Sequence, residues 1–428
     1  MSSPGDRDLV TRDRELPGLG LLLDATAFLA ALRESLPSVA LEAARLEYLR
    51  YKPGTNVLAA YRLQVAGEPV QVYAKSVSPA HRTKAARDLL RPGAHGPLGR
   101  GLVGLADGLT VVRAFPNDAK LPALVHLDRS ARHGAPGLGL GPGSLTTLRY
   151  KPERRWVCRF DPAAGGRPVV LKAHGPHRFA AAVRGADAFR DGEVLRLAPR
   201  GPRWTDLQVL GAGWLGGRLL DTALAGREAQ AALALTGRAL AELHAQRVTS
   251  LPVLTREAEV ASLQAVGQGV SWLLPSLRLP LGRVCGDLAA RLAGAPPRQQ
   301  PVHGDCYAKQ ILVQAGTVGL LDLDQAALGD PALDLGLFLA HLERDVLRGR
   351  LDASTLPGYR AALLQGYADL AGGTPEQVPL YTATSLLRLL PDPFRHREPA
   401  WEEQTRALFD RVQVLTTALP RPAASAQV

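Results

Sequence analysis

The chain is poor in cysteine, methionine and aromatic residues. Its 428 residues include three cysteines, one methionine and only 5% aromatic side chains. Cys158, Cys285 and Cys306 lie far apart, so they form neither a disulfide framework nor a zinc-ligand spacing. These absences exclude a disulfide-stapled secreted domain and a zinc module. We interpret Cys306, the cysteine nearest to other notable residues, as a small, half-buried side chain and not as a nucleophile.

The sequence also lacks an apolar run long enough to span a bilayer, and its polar start lacks the apolar stretch of a signal peptide. We therefore expect a cytoplasmic protein without a membrane partner. Apolar residues make up 46% of the chain and charged residues 21%, a balance typical of globular proteins. The length allows two or three domains with separate cores.

The formal net charge of +11 has two explanations. One is binding to nucleic acid, which needs basic residues concentrated on one face, often with aromatic residues between them. The other is a site for an anionic ligand on a protein that is rich in arginine. The arginines are scattered and aromatic residues are few, so we expect no nucleic-acid partner. A steep salt dependence of DNA or RNA affinity would reverse this interpretation.

A weak internal repeat divides the first half of the chain. Residues 49–53 and 148–152 both read Leu-Arg-Tyr-Lys-Pro. Each copy continues with two further β-prone runs, and each third run ends in a lysine, Lys75 or Lys172. A helix-prone stretch follows each lysine. The pattern predicts two small α+β lobes, each with about five strands and one helix.

The segments outside the lobes have different compositions. Residues 134–143, between the copies, are rich in glycine and proline and predict a linker, since the strand–turn–helix context of a phosphate loop is missing. From residue 227 onward, apolar residues recur at helical spacing. The clearest of these predicted helices span residues 228–244, 332–347, 356–370 and 377–390. Residues 421–428 predict a disordered tail.

The most informative segment is His303-Gly304-Asp305. Glycine allows a tight backbone path, so the carboxylate of Asp305 can face a cleft. There it could orient an alcohol and take its proton while a phosphoryl group is transferred. The alternative is an ordinary loop aspartate that caps a turn. We favour the catalytic role because an amide follows at Gln310 and a second carboxylate at Asp322, the layout of kinase-type sites.

Gln310, Asp322 and Asp324 are the candidate magnesium ligands. Gln310 stands where that layout has an asparagine, and its amide oxygen could reach the ion directly or through a water; a surface glutamine is the alternative. Asp322 ends an apolar run, and a carboxylate at a strand end suits a hard cation. Asp324 would share its direction by strand alternation. It is either a second metal contact or merely a neighbour.

Four further residues are assigned to structure. We interpret Asp330 and Asp334 as caps at a helix start. His303 is expected to brace the motif through hydrogen bonds, and His244 is expected to pack nearby at the end of its helix. Neither histidine has a partner at metal-ligand spacing.

Lys172, Arg155 and Trp214 are the candidate nucleotide contacts. Lys172 ends a β-prone run, where kinases place the lysine that grips the α- and β-phosphates. Its partner carboxylate would be Asp187 or Glu193. Arg155 follows a turn at the position of a nucleotide-covering loop, although exposed hairpin arginines are common. Trp214 lies in a glycine-rich segment that is either the hinge that meets adenine or a simple turn.

Together these residues resemble the aminoglycoside phosphotransferase/choline kinase-like family, from residue 145 onward. The resemblance is carried by residues 303–305, Gln310, Asp322, 329–331, 334–335 and 240–244. It implies an α+β, bilobal protein-kinase-like fold that uses ATP and Mg²⁺. Asp305 would be the catalytic base, Asp322 the main metal ligand and Lys172 the phosphate anchor. The first copy would be an additional, duplicated N-terminal lobe, with Lys75 as a relic or a second binding surface.

The resemblance implies these domains: an accessory lobe at 1–140, a kinase N-lobe at 141–222 and a helical C-lobe with the catalytic site at 223–420. The expected activity is transfer of the ATP γ-phosphoryl group to a hydroxyl of a sugar, amino sugar, aminoglycoside or amino alcohol. The few carboxylates in the C-terminal helices favour a neutral acceptor such as a sugar. Gln310 in place of asparagine and a covering loop without glycine leave one alternative, a catalytically weak nucleotide-binding regulator.

Overall fold

A computed structural model of the protein describes residues 3–133 and 139–420. The predicted tail at 421–428 and residues 134–138 of the predicted linker lie outside this range. The chain divides into two compact units. Unit 1 comprises Met1–Phe179, Pro202–Gly211 and Asp392–Glu402, and unit 2 comprises Ala180–Gly201, Ala212–Pro391 and Glu403–Val428. The predicted domain boundaries at 140 and 222 remain a prediction.

The first copy of the repeat forms a five-stranded sheet in unit 1, with the order β1-β2-β3-β5-β4 and antiparallel neighbours. Its elements are α1 (Pro4–Arg12), α2 (Leu19–Leu23), α3 (Ala25–Ser35), β1 (Leu41–Lys52), β2 (Asn56–Val65), β3 (Glu68–Val77), α4 (Arg82–Leu89), β4 (Leu102–Gly104) and β5 (Thr110–Ala114). Ser3 begins α1 as a capping box with Asp6, so the helix starts at a defined residue.

The second copy forms another five-stranded sheet, with the order β10-β11-β8-β7-β6. Its elements are α5 (Ala123–His133), β6 (Gly143–Lys151), β7 (Arg155–Pro162), β8 (Val169–His174), α6 (Phe179–Ala188), β9 (Leu195–Leu197), β10 (Arg200–Trp204) and β11 (Val209–Gly213). Both sheets place the first three strands side by side and insert the last strand next to the third. The predicted duplication of the lobe is therefore confirmed.

The core of the second copy shows why its strands form. Trp156, Cys158 and Phe160 alternate with less buried residues along β7, so one face of the strand is apolar. Leu124 and Leu127 of α5 pack against that face. The helix before the second copy therefore closes the core of its sheet.

Unit 2 is mainly helical. The remaining elements of the chain are β12 (Arg218–Leu219), α7 (Leu220–Ala223), α8 (Ala229–His244), α9 (Arg256–Leu273), α10 (Arg278–Gly294), β13 (Gln300–Val302), β14 (Ile311–Gln314), β15 (Thr317–Leu320), β16 (Ala327–Gly329), α11 (Ala332–Leu347), α12 (Leu356–Ala371), α13 (Val378–Arg388), α14 (Asp392–Arg395, in unit 1) and α15 (Trp401–Thr417). A small sheet has the order β12-β14-β15-β9, and β13 pairs with β16.

The helices of unit 2 follow the apolar spacing of the sequence. On α8, Leu233, Leu240 and His244 are buried on one face. The helix predicted at 332–347 is α11, and the one predicted at 228–244 is α8. None of the helices formed by residues 3–133 and 139–420 is both long and apolar enough to cross a membrane.

Candidate functional site

The loop after β13 carries the predicted catalytic aspartate. Residues 303–310 connect the end of β13 to the start of β14. Gly304 has a φ of 79°, and a Cβ atom there would lie 2.3 Å from the carbonyl oxygen of Gln325. Only glycine fits this turn. The turn leaves Asp305 half-buried.

Asp334, in the first turn of α11, holds the backbone of this loop. Its carboxylate accepts N–H bonds from His303 at 2.7 Å and from Gly304 at 2.9 Å. It is fully buried and also bonds Nε2 of His244 at 2.9 Å. Burial raises the pKa of Asp334, but the bonds from His244 and His303 outweigh burial and hold it below its ordinary value. Asp334 is therefore a charged anchor beneath the loop.

The predicted capping roles hold for only one of the two aspartates. Asp330 does cap α11, because its carboxylate accepts the N–H of Ala332 at 3.0 Å; it also pairs with Arg256 at 3.2 Å. Asp334 has the structural role that the sequence predicted, but not as a cap, since its carboxylate bonds the loop and His244 instead. The signal was ambiguous, because an aspartate in a first helical turn suits either role.

His303 links Asp305 to the segment that carries Asp322. Its Nε2 lies 2.8 Å from the carbonyl oxygen of Leu321, and its Nδ1 lies 3.2 Å from the backbone nitrogen of Asp305. A carbonyl only accepts hydrogen bonds, so Nε2 carries the proton and Nδ1 accepts the N–H of Asp305. One imidazole thus fixes two predicted site segments relative to each other, which is the bracing role that the sequence predicted.

Gln310 and Asp322 lie side by side. The amide nitrogen of Gln310 is 3.2 Å from a carboxylate oxygen of Asp322, and the backbone carbonyl of Gln310 accepts the N–H of Leu321 at 2.8 Å. Gln310 is 7% exposed, so it is not a surface glutamine. Asp322 has a φ of 66°, a left-handed conformation that is costly for a residue with a Cβ atom. Such strain is typical of functional sites.

Asp324 is placed differently from the sequence prediction. β15 ends at Leu320, and Leu323–Gln325 forms a short 3₁₀ turn. The expected strand alternation between Asp322 and Asp324 is therefore wrong, because the chain leaves the extended conformation first. Asp324 is half-buried two residues beyond Asp322. Its metal contact remains a prediction.

The side chains of Asp322 and Gln310, which lie next to each other, could hold a magnesium ion. In the ranges 3–133 and 139–420, no group of three or more His, Cys, Asp or Glu side chains is arranged to hold a metal. Magnesium commonly takes one or two carboxylates and completes its shell with water and phosphate oxygens. Asp322 with the amide of Gln310 matches that small donor set.

Cys306 is fully buried, not half-buried as predicted. Burial raises the pKa of its thiol well above the ordinary value, and the charges of Asp334 and Asp305 raise it further. A thiol with a raised pKa stays protonated at neutral pH and is a poor nucleophile. The prediction that Cys306 is not a nucleophile agrees with this environment.

The three residues that the sequence predicts to contact a nucleotide are divided between the two units. In unit 1, Lys172 is half-buried on β8 and pairs with Val157, while Arg155 begins β7 opposite His174. In unit 2, Trp214 follows β11 and is 40% exposed. Lys172 and Arg155 therefore lie on neighbouring strands of one sheet. Their contacts with a nucleotide, and that of Trp214, remain predictions.

The lysine of the first copy has a partner that the sequence did not reveal. Lys75 binds the carboxylate of Glu153 at 2.7 Å, and Arg50 binds the same carboxylate at 2.7 Å. Glu153 lies in the turn between β6 and β7, so the contact joins the two copies. Asp187, one of the two carboxylates considered for Lys172, forms an ion pair with Arg200 at 3.5 Å. The sequence did contain one signal for this contact. Glu153 stands at the repeat position that Gly54 occupies in the first copy, so the two turns differ by one carboxylate.

The profile of the Phosphotransferase enzyme family matches residues 141–375, which is more than half of the chain. The chain therefore belongs to this family, as the sequence resemblance predicted. The predicted α+β, protein-kinase-like fold with a duplicated N-terminal lobe is likewise confirmed. No curated protein matches the chain.

Solved structures of several kinases are similar over about two thirds of the chain. A choline/ethanolamine kinase family protein from Mesorhizobium loti is 19% identical, with 69% of this chain and 95% of that chain covered and a TM-score of 0.48. A thermostable mutant of aminoglycoside phosphotransferase APH(4)-Ia, in ternary complex with ADP and hygromycin B, is 14% identical, with coverage of 66% and 96% and a TM-score of 0.48. Amicoumacin kinase hAmiN, in complex with AMP-PNP, Ca²⁺ and Ami, is 14% identical, with coverage of 69% and 93% and a TM-score of 0.46. Because all three TM-scores lie below 0.5, the family assignment rests on the profile match.

Proposed function

We propose that this protein is an ATP- and Mg²⁺-dependent kinase that transfers the γ-phosphoryl group to a hydroxyl of a small molecule. The observation that carries the proposal is the hydrogen-bonded network of Asp334, His244 and His303. This network holds the backbone of Asp305 and, through Leu321, the segment of Asp322. Phosphoryl transfer depends chiefly on positioning and charge, so an aspartate whose backbone is held in this network, together with the proposed magnesium ligands, supports the proposal.

Asp305 is the proposed base. Its carboxylate would accept the hydrogen bond of the acceptor hydroxyl, orient the attacking oxygen and take the proton. The new P–O bond would form as the bond from the γ-phosphorus to the bridging oxygen breaks and ADP leaves. General-base catalysis of this kind contributes roughly 10²–10⁴-fold to a rate. The backbone of Asp305 is tied to His303, and this tie limits the movement of the carboxylate before the acceptor binds.

Asp322, with Gln310 and Asp324, is the proposed magnesium-holding set. When bound, the ion would neutralise charge on the phosphate oxygens. Asp322 would contribute a carboxylate oxygen, and Gln310 would turn its amide oxygen toward the ion or toward a bound water. Asp324 would add a second carboxylate on the same turn.

The nucleotide and acceptor assignments complete the proposal. Lys172 would anchor the phosphates, Arg155 would add positive charge beside it, and Trp214 would lie near the adenine. For the acceptor we propose a neutral sugar before the amino sugars, aminoglycosides and amino alcohols, because carboxylates are few in the C-terminal helices. The cytoplasm, where ATP is available, is the proposed compartment.

One observation favours a second candidate, a nucleotide-binding regulator with little turnover. The amide of Gln310 directs its nitrogen, not its oxygen, toward Asp322. If the amide kept that orientation when nucleotide binds, the metal set would lose one oxygen ligand.

The test is ADP release over a panel of hydroxyl compounds that includes sugars, amino sugars, hygromycin B and choline. The wild type should turn over at least one acceptor only when Mg²⁺ is present. Asp305→Ala should lower kcat by about 10³-fold, because the base is lost. Asp369→Ala is the matched control, since Asp369 is an exposed aspartate of unit 2 that accepts a hydrogen bond from its helix neighbour Gln365.

Binding of Mg·AMP-PNP, measured by calorimetry, separates the two candidates. A wild type that binds the nucleotide but phosphorylates no acceptor would favour the regulator. If Asp305→Ala kept the turnover of the wild type, the proposed role of Asp305 as the base would be contradicted. No binding of any nucleotide would contradict both candidates.

A further inference from the structure

The hairpin of the first copy is held by an aspartate that precedes its sheet. Asp13 accepts the O–H of Tyr51 at 2.5 Å and the N–H of Gly54 at 2.9 Å. Gly54 lies at the tip of the β1–β2 hairpin with a φ of 63°, a conformation that suits glycine. The backbone donor at this tip is thus engaged within the first copy.

The second copy repeats this clamp with Asp118. Asp118 accepts the O–H of Tyr150 at 2.7 Å and the N–H of Glu153 at 2.8 Å. Glu153 lies at the tip of the β6–β7 hairpin with a φ of 58°. Asp118 follows β5 in the chain, so the end of the first copy supplies the clamp for the hairpin of the second.

The two clamps differ in what the tip side chain does. Both carboxylate oxygens of Glu153 are bound by the ammonium of Lys75, at 2.7 and 2.9 Å, and Arg50 adds a contact at 2.7 Å. Lys120 lies 3.5 Å away. The side chain of Glu153 is 1% exposed and that of Lys75 is 16% exposed. Lys75 corresponds in the repeat to Lys172, so the lysine that equals the proposed phosphate anchor holds a carboxylate of the other copy.

The charged groups at this contact shift the pKa of Glu153 and of Lys75. Burial raises the pKa of Glu153, but Lys75, Arg50 and Lys120 together hold it below its ordinary value. Burial, together with the charges of Lys120 and Arg50, holds the pKa of Lys75 below its ordinary value although Glu153 raises it. Removal of one partner costs much more stability in a buried ion pair than in an exposed one. Removal of Lys75 would therefore leave a buried carboxylate with weaker compensation.

The hairpin is also tied to the strand that carries Lys172. The carbonyl oxygen of Arg154 accepts the N–H of Gly175 at 2.9 Å. Gly175 directly follows β8, three residues after Lys172. A displacement of the tip would consequently move the end of that strand.

We propose that the first copy is a brace that sets the position of the nucleotide-facing hairpin at residues 151–154, with Lys75 as the positioning residue that acts through Glu153. This inference rests on the proposed function, because the ligand positioned is a nucleoside triphosphate with its Mg²⁺. The first copy is then not a second nucleotide site, since Lys75 is held by Glu153. Its contribution is to keep the turn before Arg155 and the strand of Lys172 in a binding geometry.

The experiment is calorimetric titration of the full chain with Mg·AMP-PNP. Lys75→Met should raise the Kd by roughly tenfold, because a displaced hairpin misplaces the groups that contact the phosphates. Lys75→Arg should recover most of the affinity, since Arg50 demonstrates that a guanidinium fits against Glu153. Lys84→Met is the matched control, because Lys84 is an exposed lysine of α4 in the same copy; it should bind as the wild type does.

Glu153→Gln provides a second route if Lys75→Met does not fold. This substitution keeps the shape of the side chain and should also raise the Kd. The double variant, Lys75→Met with Glu153→Gln, should have a Kd no higher than that of the single variant that binds more weakly. A Kd equal to that of the wild type in folded Lys75→Met or Glu153→Gln would overturn the inference and leave the proposed function intact. Tighter binding would overturn it too, because the contact would then oppose the nucleotide. A wild type that binds no nucleotide would end both proposals.

Discussion

The two copies of the lobe share a sheet order and a hairpin clamp, and we propose that they use equivalent lysines differently. Asp13 and Asp118 make the same pair of bonds, to a tyrosine hydroxyl and to a tip amide. Lys75 is neutralised by a carboxylate of the second copy, whereas Lys172 is the proposed phosphate anchor. Equal position in a repeated fold therefore does not imply equal function, because one buried carboxylate changes what a lysine can bind.

The tips of the two hairpins show the same difference in burial. In the first copy Lys52 and Pro53 are exposed, and the tip is Gly54. In the second copy Pro152 and Glu153 are buried. The first hairpin exposes Lys52 and Pro53, while the second ends against charged groups of the first copy. The asymmetry places the tip of the second hairpin, at Glu153, in the ion pairs that join the two copies.

Exchange of the two lysines for methionine should produce the largest effect. Lys172→Met should lower kcat/KM for ATP by about 10²–10³-fold, because a charge that stabilises the phosphoryl group is lost. Lys75→Met should lower it by only about tenfold, through nucleotide affinity. Steady-state kinetics with the best acceptor of the panel measure both. Equal losses in the two variants would show that the lysines are functionally equivalent and would break the comparison.

The second-largest effect is expected from removal of the two clamp aspartates, Asp13 and Asp118. Each substitution should lower the stability of the fold, and the two losses should differ. Asp118 accepts hydrogen bonds from the backbone of Lys120, Leu121 and Glu153 and from the hydroxyl of Tyr150. Asp13 accepts those of the Tyr51 hydroxyl and the Gly54 backbone. Asp118→Ala should therefore lower the free energy of unfolding by about 3 kcal/mol, and Asp13→Ala by about 2 kcal/mol.

Urea unfolding followed by fluorescence measures these losses. Asp8→Ala is the control, because Asp8 is an exposed aspartate in a surface pair with Arg12 and should lose less than about 1 kcal/mol. A greater loss for Asp13→Ala than for Asp118→Ala would mean that the first hairpin, not the second, depends more on its clamp.

The lobes and the motif could be predicted because their signals are local in the sequence. The Leu-Arg-Tyr-Lys-Pro repeat marked both sheets, and the apolar spacing of residues 332–347 marked α11 to its ends. Gly304 before Asp305 indicated a tight turn, and the turn is present. Each of these inferences needs only neighbouring residues, which a single sequence displays.

The supporting contacts could not be predicted because they join distant residues at unequal spacings. Asp13 lies 38 residues before Tyr51, whereas Asp118 lies 32 residues before Tyr150, so the repeat does not align them. Asp334 is 90 residues from His244. The predicted direction of the Asp324 side chain was wrong for another reason. Asp322 has a left-handed backbone conformation, so the strand geometry on which side-chain alternation depends does not continue to Asp324.

The smallest expected effect is a pH dependence that belongs to the second hairpin alone. The folded pKa of Glu153 is held below its ordinary value of 4.5, so its ion pairs stabilise the fold fully above about pH 4.5 and lose this contribution as the pH falls through the lowered pKa. Glu153→Gln should cost about 1 kcal/mol at pH 7, and the difference from wild type should shrink below pH 4.5. Gly54 provides no such carboxylate in the first copy.

Urea midpoints between pH 7 and pH 3.5 provide the measurement. Burial raises the pKa of Asp118, which gives the opposite pH dependence, but Asp118 is present in both proteins and largely cancels in the difference. Glu34→Gln, at an exposed glutamate of α3, should show a pH profile parallel to the wild type. A wild-type advantage over Glu153→Gln that persists unchanged at pH 3.5 would mean that shape and not charge holds the hairpin. The difference between the hairpin tips at Gly54 and Glu153 would then be one of packing. The ion pair of Lys75 with Glu153 would not account for the position of the second hairpin.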